Sequence, residues 1–164
     1  MNKYEITSSD FTDSQIQGEL PLELDCNQAK VYINNLNLSH PEFTFTLPST
    51  EEWEYAAEYN IFTEETYLYP WGNEIDAYYA NYLNSDLPSD STGTVGVGLH
   101  DWPSPFGLYD MSGNVMEWTL DGNDACLAKG GNYLSTGEDL LIATDHAQIP
   151  PSSSLGIGFR IIIK

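Results

Sequence analysis

Between residues 66 and 107 the chain is interrupted by turn residues so often that no long strand or helix fits there. Tyr-Pro-Trp-Gly-Asn at 69–73 is followed by Pro88, Gly93, Gly96, Gly98, Pro103 and Pro105. Proline fixes φ and lacks an amide donor, and glycine adopts backbone conformations that other residues avoid. Any strands here must be short. A connection of this length is normally functional or pinned by a ligand.

Regular structure is signalled on either side of that stretch. Asp25 with Gln28 three residues later has capping-box spacing, and Ala29, Tyr32, Ile33 and Leu36 then recur at helical intervals. Ser49 followed by Glu52 repeats the signal, with Glu51 and Glu52 favourably placed at a helix N-terminus. The spacing predicts a second helix through residue 59 or 60, carrying Trp53, Ala56 and Ala57 on its apolar stripe. Residues 8–17 could hold one or two helical turns. Residues 4–7, 127–129 and 158–164 read as strands, the last with Phe159, Ile161 and Ile163 on one face and Arg160 and Ile162 on the other. Helices followed by short strands and loops argue for α+β in a single domain over residues 1–164.

The charge is lopsided: 25 Asp and Glu against 5 Lys and Arg, a formal net charge of −20. Such a surface repels nucleic-acid backbones and anionic lipid heads, so neither is the expected partner. A cation or a basic protein is the natural complement. Cys26 and Cys126 are too few for a disulfide framework. One bridge stays open, but the expectation is two free buried thiols. With no signal-peptide-like stretch and no run near the ~18 apolar residues of a membrane span, the expected location is the cytoplasm.

Several segments, in order, resemble the formylglycine-generating-enzyme (sulfatase-modifying factor) family. They are Glu5-Ile-Thr7, Leu47-Pro-Ser-Thr-Glu-Glu-Trp-Glu-Tyr-Ala-Ala57, Tyr69-Pro-Trp-Gly-Asn73, Phe106-Gly-Leu-Tyr-Asp-Met-Ser-Gly-Asn-Val-Met-Glu-Trp118, Lys129-Gly-Gly-Asn-Tyr133 and Gly158-Phe-Arg160. The resemblance implies a C-type-lectin-like fold: a small twisted antiparallel β core, two helices and long loops. Trp53 and Trp118 fall in its core motifs. Arg160, the only arginine, is expected to be part-buried and paired with a carboxylate.

Family enzymes oxidise a substrate cysteine with copper held by two cysteines after the Gly-Gly motif. The resemblance puts Ser135 and Leu140 at those positions, and neither suits Cu(I). Iron-using relatives need a histidine cluster, whereas His40, His100 and His146 sit in no matching motif. The expectation is therefore no copper, no iron and no catalysis. Family members also bind calcium through a turn matching Asp110 to Glu117. Carried over, its ligands are the Asp110 and Glu117 side chains with the Gly113 and Val115 carbonyls, oxygen donors of the kind a hard cation takes. The alternative is a turn satisfied internally by Asn114 and Glu117.

Three functional classes remain. The favoured one is a non-catalytic binding module with a loop-built face, similar to retroelement-diversified variable proteins of this fold. The others are an acidic inhibitor or immunity-type protein masking a basic partner, and an enzyme with an altered site. By resemblance, the ligand face is the irregular segment at 132–155. It offers Tyr133 as a rigid contact, and Ser135, Glu138, Asp139, Asp145 and His146 as polar or charged ones.

Overall fold

The computed structural model describes residues 1–7, 19–85, 93–146 and 149–164. The expected helical turns at 8–17 lie outside the described residues. Helix α1 spans Cys26–Ser39 and starts at the expected cap: the Asp25 side chain accepts from the Gln28 amide at 2.8 Å, and the Gln28 side chain accepts from the Asp25 amide at 3.0 Å. Cys26, Ala29, Tyr32 and Ile33 form its buried face. The helix runs past Leu36, and the Asn37 side chain bonds both backbone groups of Phe45, holding the first strand to its end. Helix α2, Thr50–Glu58, has the same reciprocal cap between Ser49 and Glu52 and buries Trp53 and Ala57 completely.

The strands are short. β1 (Phe45–Thr46) pairs antiparallel with β7 (Ile162–Ile163), and β2 (Tyr59–Asn60) with β3 (Glu65–Thr66). The main sheet sets β4 (Met116–Leu120) between β5 (Cys126–Lys129), antiparallel, and β6 (Ile157–Gly158), parallel. That one parallel pairing departs from a purely antiparallel core. Residues 4–7 form no extended strand; Thr7 makes an isolated bridge to Pro21, and the Ile6 amide donates to the Phe159 carbonyl at 2.9 Å.

The expected alternation along the C-terminal segment fails. Arg160 and Ile162 are buried along with Phe159 and Ile161, and Ile163 is exposed. The chain changes partner between β6, against β4, and β7, against β1, so neither side stays on one surface. The main core gathers Trp118, Phe159, Ile157, Ile6 and the inner face of α1. A second cluster surrounds Trp53 with Leu108, Met111 and Ile142, and a third joins Tyr69, Ala80 and Leu140.

The free-thiol expectation is overturned. Cys26, at the start of α1, and Cys126, at the start of β5, form a disulfide across 100 residues, with Cα atoms 6.5 Å apart. The pairing follows from both residues facing the same core cluster. Cross-linking so long a loop restricts the unfolded chain. Reduction, or Cys126→Ser, is expected to lower the unfolding free energy by about 2–5 kcal/mol. Denaturation with and without reductant checks this: the wild type should respond and the variant should not.

Candidate functional site

Arg160 is wholly buried, and its guanidinium grips the equally buried Glu117 on β4. Nε donates to Glu117 Oε2 at 2.6 Å and Nη2 to Oε1 at 2.5 Å. Nη2 also reaches the Tyr109 carbonyl, and Nη1 the Asn2 and Lys3 carbonyls. The Trp53 indole N–H donates to Glu117 Oε2 at 2.7 Å. The carboxylate partner expected for Arg160 is therefore Glu117, and the burial is complete rather than partial.

Two more acids lie buried alongside. The Asn114 amide donates to Glu5 at 3.1 and 3.3 Å, and Asp110 Oδ2 accepts from the Gly98 amide at 2.5 Å. His100 is buried 3.5 Å from Asp110 Oδ1, and among the described residues neither ring nitrogen has a hydrogen-bond partner. Burial, then the charges of Asp110 and Glu117, push the Glu5 carboxyl well above its ordinary value, with Arg160 and Asn114 pulling the other way. Between Asp110 and Glu117 the backbone doubles back through positive φ at Asp110, Gly113 and Asn114. Gly113 is required there, because a Cβ would sit 2.7 Å from the Asn81 carbonyl oxygen.

The expected calcium ligands thus lie on one buried turn. Their donors are all oxygen, and Arg160 already binds Glu117 and lies near Glu5 and Asp110. Glu117 has the least coordination to spare, since Arg160 and Trp53 already use both its oxygens. Among the described residues, no three His, Cys, Asp or Glu side chains gather into a metal-ligating group.

The loop expected to form the ligand face is largely occupied with its own structure. Gly130, at φ 88°, lets this loop pass close to α2: a Cβ would stand 2.7 Å from the Met111 carbonyl oxygen and 3.1 Å from the Trp53 ring. The buried Ser135 hydroxyl accepts from the Asn132 amide and donates to its side chain. Leu140 is fully buried against Tyr69 and Ala80. Asp139 accepts from the Thr136 amide and hydroxyl, which holds its carboxyl below the ordinary value. Asp145 pairs at 3.0 Å with the buried Lys129, which also binds Glu54 at 2.7 Å. His146 approaches the Asp139 carbonyl at 3.2 Å. Glu138 is exposed, and Tyr133 is half-buried.

Beside that loop runs a feature that the sequence reading missed. Tyr69 and Trp71 stack with rings nearly parallel and centroids 5.7 Å apart. Trp71 meets Tyr79 edge-on at 5.6 Å, and Tyr79 meets Trp102 at 4.4 Å. The Trp71 indole is anchored on the Glu74 carbonyl, and the Tyr69 hydroxyl on the Gly137 carbonyl. Burial and the nearby Glu138 charge raise the Tyr69 hydroxyl above its ordinary value. The series runs from buried Tyr69 to Trp102, which is 46% exposed. Its signal in the sequence was the density of Trp and Tyr among turn residues in a stretch too irregular to bury them all.

Two capped helices against small sheets, with most of the chain in ordered loops, define an α+β, C-type-lectin-like fold. Solved structures agree. The structure of PvdO from Pseudomonas aeruginosa has a TM-score of 0.70 at 20% identity, covering 97% of this chain and 77% of that one. Treponema denticola variable protein 1 has a TM-score of 0.68 at 17% identity, covering 95% and 74%.

The chain belongs to the family of the sulfatase-modifying factor enzyme 1-like domain, whose model matches residues 6–164. It is 29% identical over 130 residues to the inactive C-alpha-formylglycine-generating enzyme 2 of Mus musculus, covering 70% of this chain and 41% of that protein. It is 30% identical over 145 residues to the formylglycine-generating enzyme of Mus musculus, covering 70% and 38%. The chain thus spans well under half the length of these relatives.

Removing one member of a buried ion pair strands the other. Arg160→Met is expected to lower stability by about 3–5 kcal/mol, and the double change Arg160→Met with Glu117→Met by less. Urea denaturation of both variants checks the difference.

Burial chiefly holds His146 below its ordinary value, against the opposing pull of Asp139. As pH falls, the unfolded chain takes up this proton first. The contribution is present above the ordinary histidine range and lost as pH drops through the folded value. Melting temperatures from pH 5 to 8 should show a flatter acid limb for His146→Gln.

Proposed function

We propose that this chain is a non-catalytic binding module whose contact face joins the loop at 132–155 to the neighbouring aromatic series. The observation that carries this reading is the fate of the two copper positions. Ser135 closes a turn and Leu140 fills a core, so both are committed to structure and neither offers a thiolate. A relative described as inactive supports the same reading.

Within that face, Tyr133 and Glu138 are the members of the expected ligand set whose side chains are least engaged inside the fold. Ser135, Asp139, Asp145 and His146 shape the loop that presents them. Calcium, where bound, would be held by Asp110, Glu117 and the Gly113 and Val115 carbonyls. Its role would be to offset buried negative charge. The disulfide favours an oxidising compartment over the cytoplasm expected from the sequence. Among the described residues, no helix is long and apolar enough to cross a membrane.

Two measurements test the reading. The purified protein, loaded with Cu(I) and given a cysteine peptide, should leave that cysteine unoxidised by mass spectrometry; turnover would refute the non-catalytic assignment. Calcium at 100-fold excess over Kd should stabilise the fold by about 2.7 kcal/mol. Glu117→Gln should abolish the calcium heat in calorimetry. No heat with the wild type removes calcium from the account.

A further inference from the structure

We propose that the Trp102 end of the aromatic series, with Asp101 beside it, receives an arginine or lysine side chain from a basic protein segment. This rests on the binding-module reading above and names the chemistry of its partner.

Three observations converge on it. The first is exposure. Trp102 is 46% exposed although Tyr79 supports it at 4.4 Å, and Leu99 and Tyr78, near these two in sequence, are 60% and 64% exposed. Large rings are normally covered, and an exposed group of them on an ordered support marks a contact surface. The support runs back through Trp71 to buried Tyr69, so little order has to be gained on binding.

The second is charge. The exposed acids Glu74, Asp76 and Asp101 punctuate the same stretch of chain, and the whole molecule carries −20. An aromatic face beside a carboxylate attracts a cation twice over, through the ring quadrupole and through the charge. A neutral sugar would stack on the rings and hydrogen-bond the acids, but it would gain nothing from the net charge of −20.

The third is that the protein already makes this contact with one of its own residues. Lys3 Nζ lies 4.8 Å from the Tyr109 ring centroid and 5.2 Å from that of Tyr4, two rings packed together at 5.3 Å. The Tyr109 hydroxyl donates to Asp101 at 3.3 Å. Asp101 therefore bonds a ring pair that holds an ammonium and directly precedes the exposed Trp102 in the chain. Among the described residues, no Lys or Arg lies over the rings of Trp71, Tyr79 or Trp102.

The test titrates the full chain with a short Arg-Gly repeat peptide, its Lys-Gly counterpart, a Glu-Gly control and an uncharged glycan mixture. Binding is read by tryptophan fluorescence and calorimetry at 0.15 and 0.5 M salt, and each variant's melting temperature confirms its fold. The two cationic peptides should bind, arginine more tightly, and the Glu-Gly peptide should not. Trp102→Leu should weaken the arginine peptide about tenfold at both salts, because the ring contribution is less screened than the charge. Asp101→Asn should weaken it a few-fold, mainly at low salt. Glu51→Gln on α2, far from the series in sequence, should change it by less than twofold.

The proposal is overturned if Trp102→Leu binds like the wild type, or if Glu51→Gln weakens binding as much as Asp101→Asn, which would mean diffuse charge attraction. If the glycan binds instead and Trp102→Leu abolishes that, the cationic partner is wrong while the contact face stands. If no probe responds to Trp102, Tyr79 or Glu138 variants, yet one maps to α2, the face itself is misplaced.

Discussion

A guanidinium cut off from water has to be met by fixed oxygens, and the position of Arg160 turns that need into architecture. Its donors reach Glu117 on the central strand, the Tyr109 carbonyl ahead of the buried turn, and the Asn2 and Lys3 carbonyls at the chain's start. The chain's start and both ends of the buried turn are thereby fixed around one side chain. Trp53 joins them through Glu117, which locks α2 onto β4. A buried pair like this is weak evidence of net stability, since desolvation offsets much of the attraction. Its value lies in allowing only one arrangement of the segments that meet there.

The surrounding acids give that arrangement an unusual charge balance. Glu5, Asp110 and Glu117 share one cation, and the excess is eased by raising the Glu5 carboxyl above its ordinary value. Amide donors from Gly98 and Asn114 supply the rest. Lys129 repeats the device on β5, where a fully buried ammonium is matched by Glu54 from α2 and Asp145 from the loop. With few cations available, three of the chain's five, Lys3, Lys129 and Arg160, make inward or ring contacts. The outer surface is left almost entirely to acids, which is why a cationic partner is the natural complement.

The candidate face shows how an irregular fold divides labour. The loop at 132–155 looks rich in contact groups, yet most of its polar side chains bond to one another or to the adjoining core. Those bonds fix the described part of the loop against the core. The exposed rings come from the earlier turn-rich stretch, packed beside it through Tyr69 and Gly137. Neither segment makes the surface alone.

The sequence by itself determined whatever depends on neighbours a few residues apart. The two capping boxes and the apolar faces of α1 and α2, Trp53 among them, follow from local spacing, while the family motifs implied the burial of Trp118 and the fold class. That Arg160 would find a carboxylate was legible from charge alone, since a lone arginine among so many acids cannot lack one. Its being Glu117 was not, nor was the Cys26–Cys126 bond, the parallel pairing of β6 with β4, or the break in alternation before Ile163. Each depends on segments tens of residues apart meeting in one register. The aromatic series belongs with them: Trp71 reads as part of a turn, and only the path of the chain brings it through Tyr79 to Trp102. Local spacing sets what each segment can be, whereas the order in which segments bury against one another decides which side chains remain free to bind.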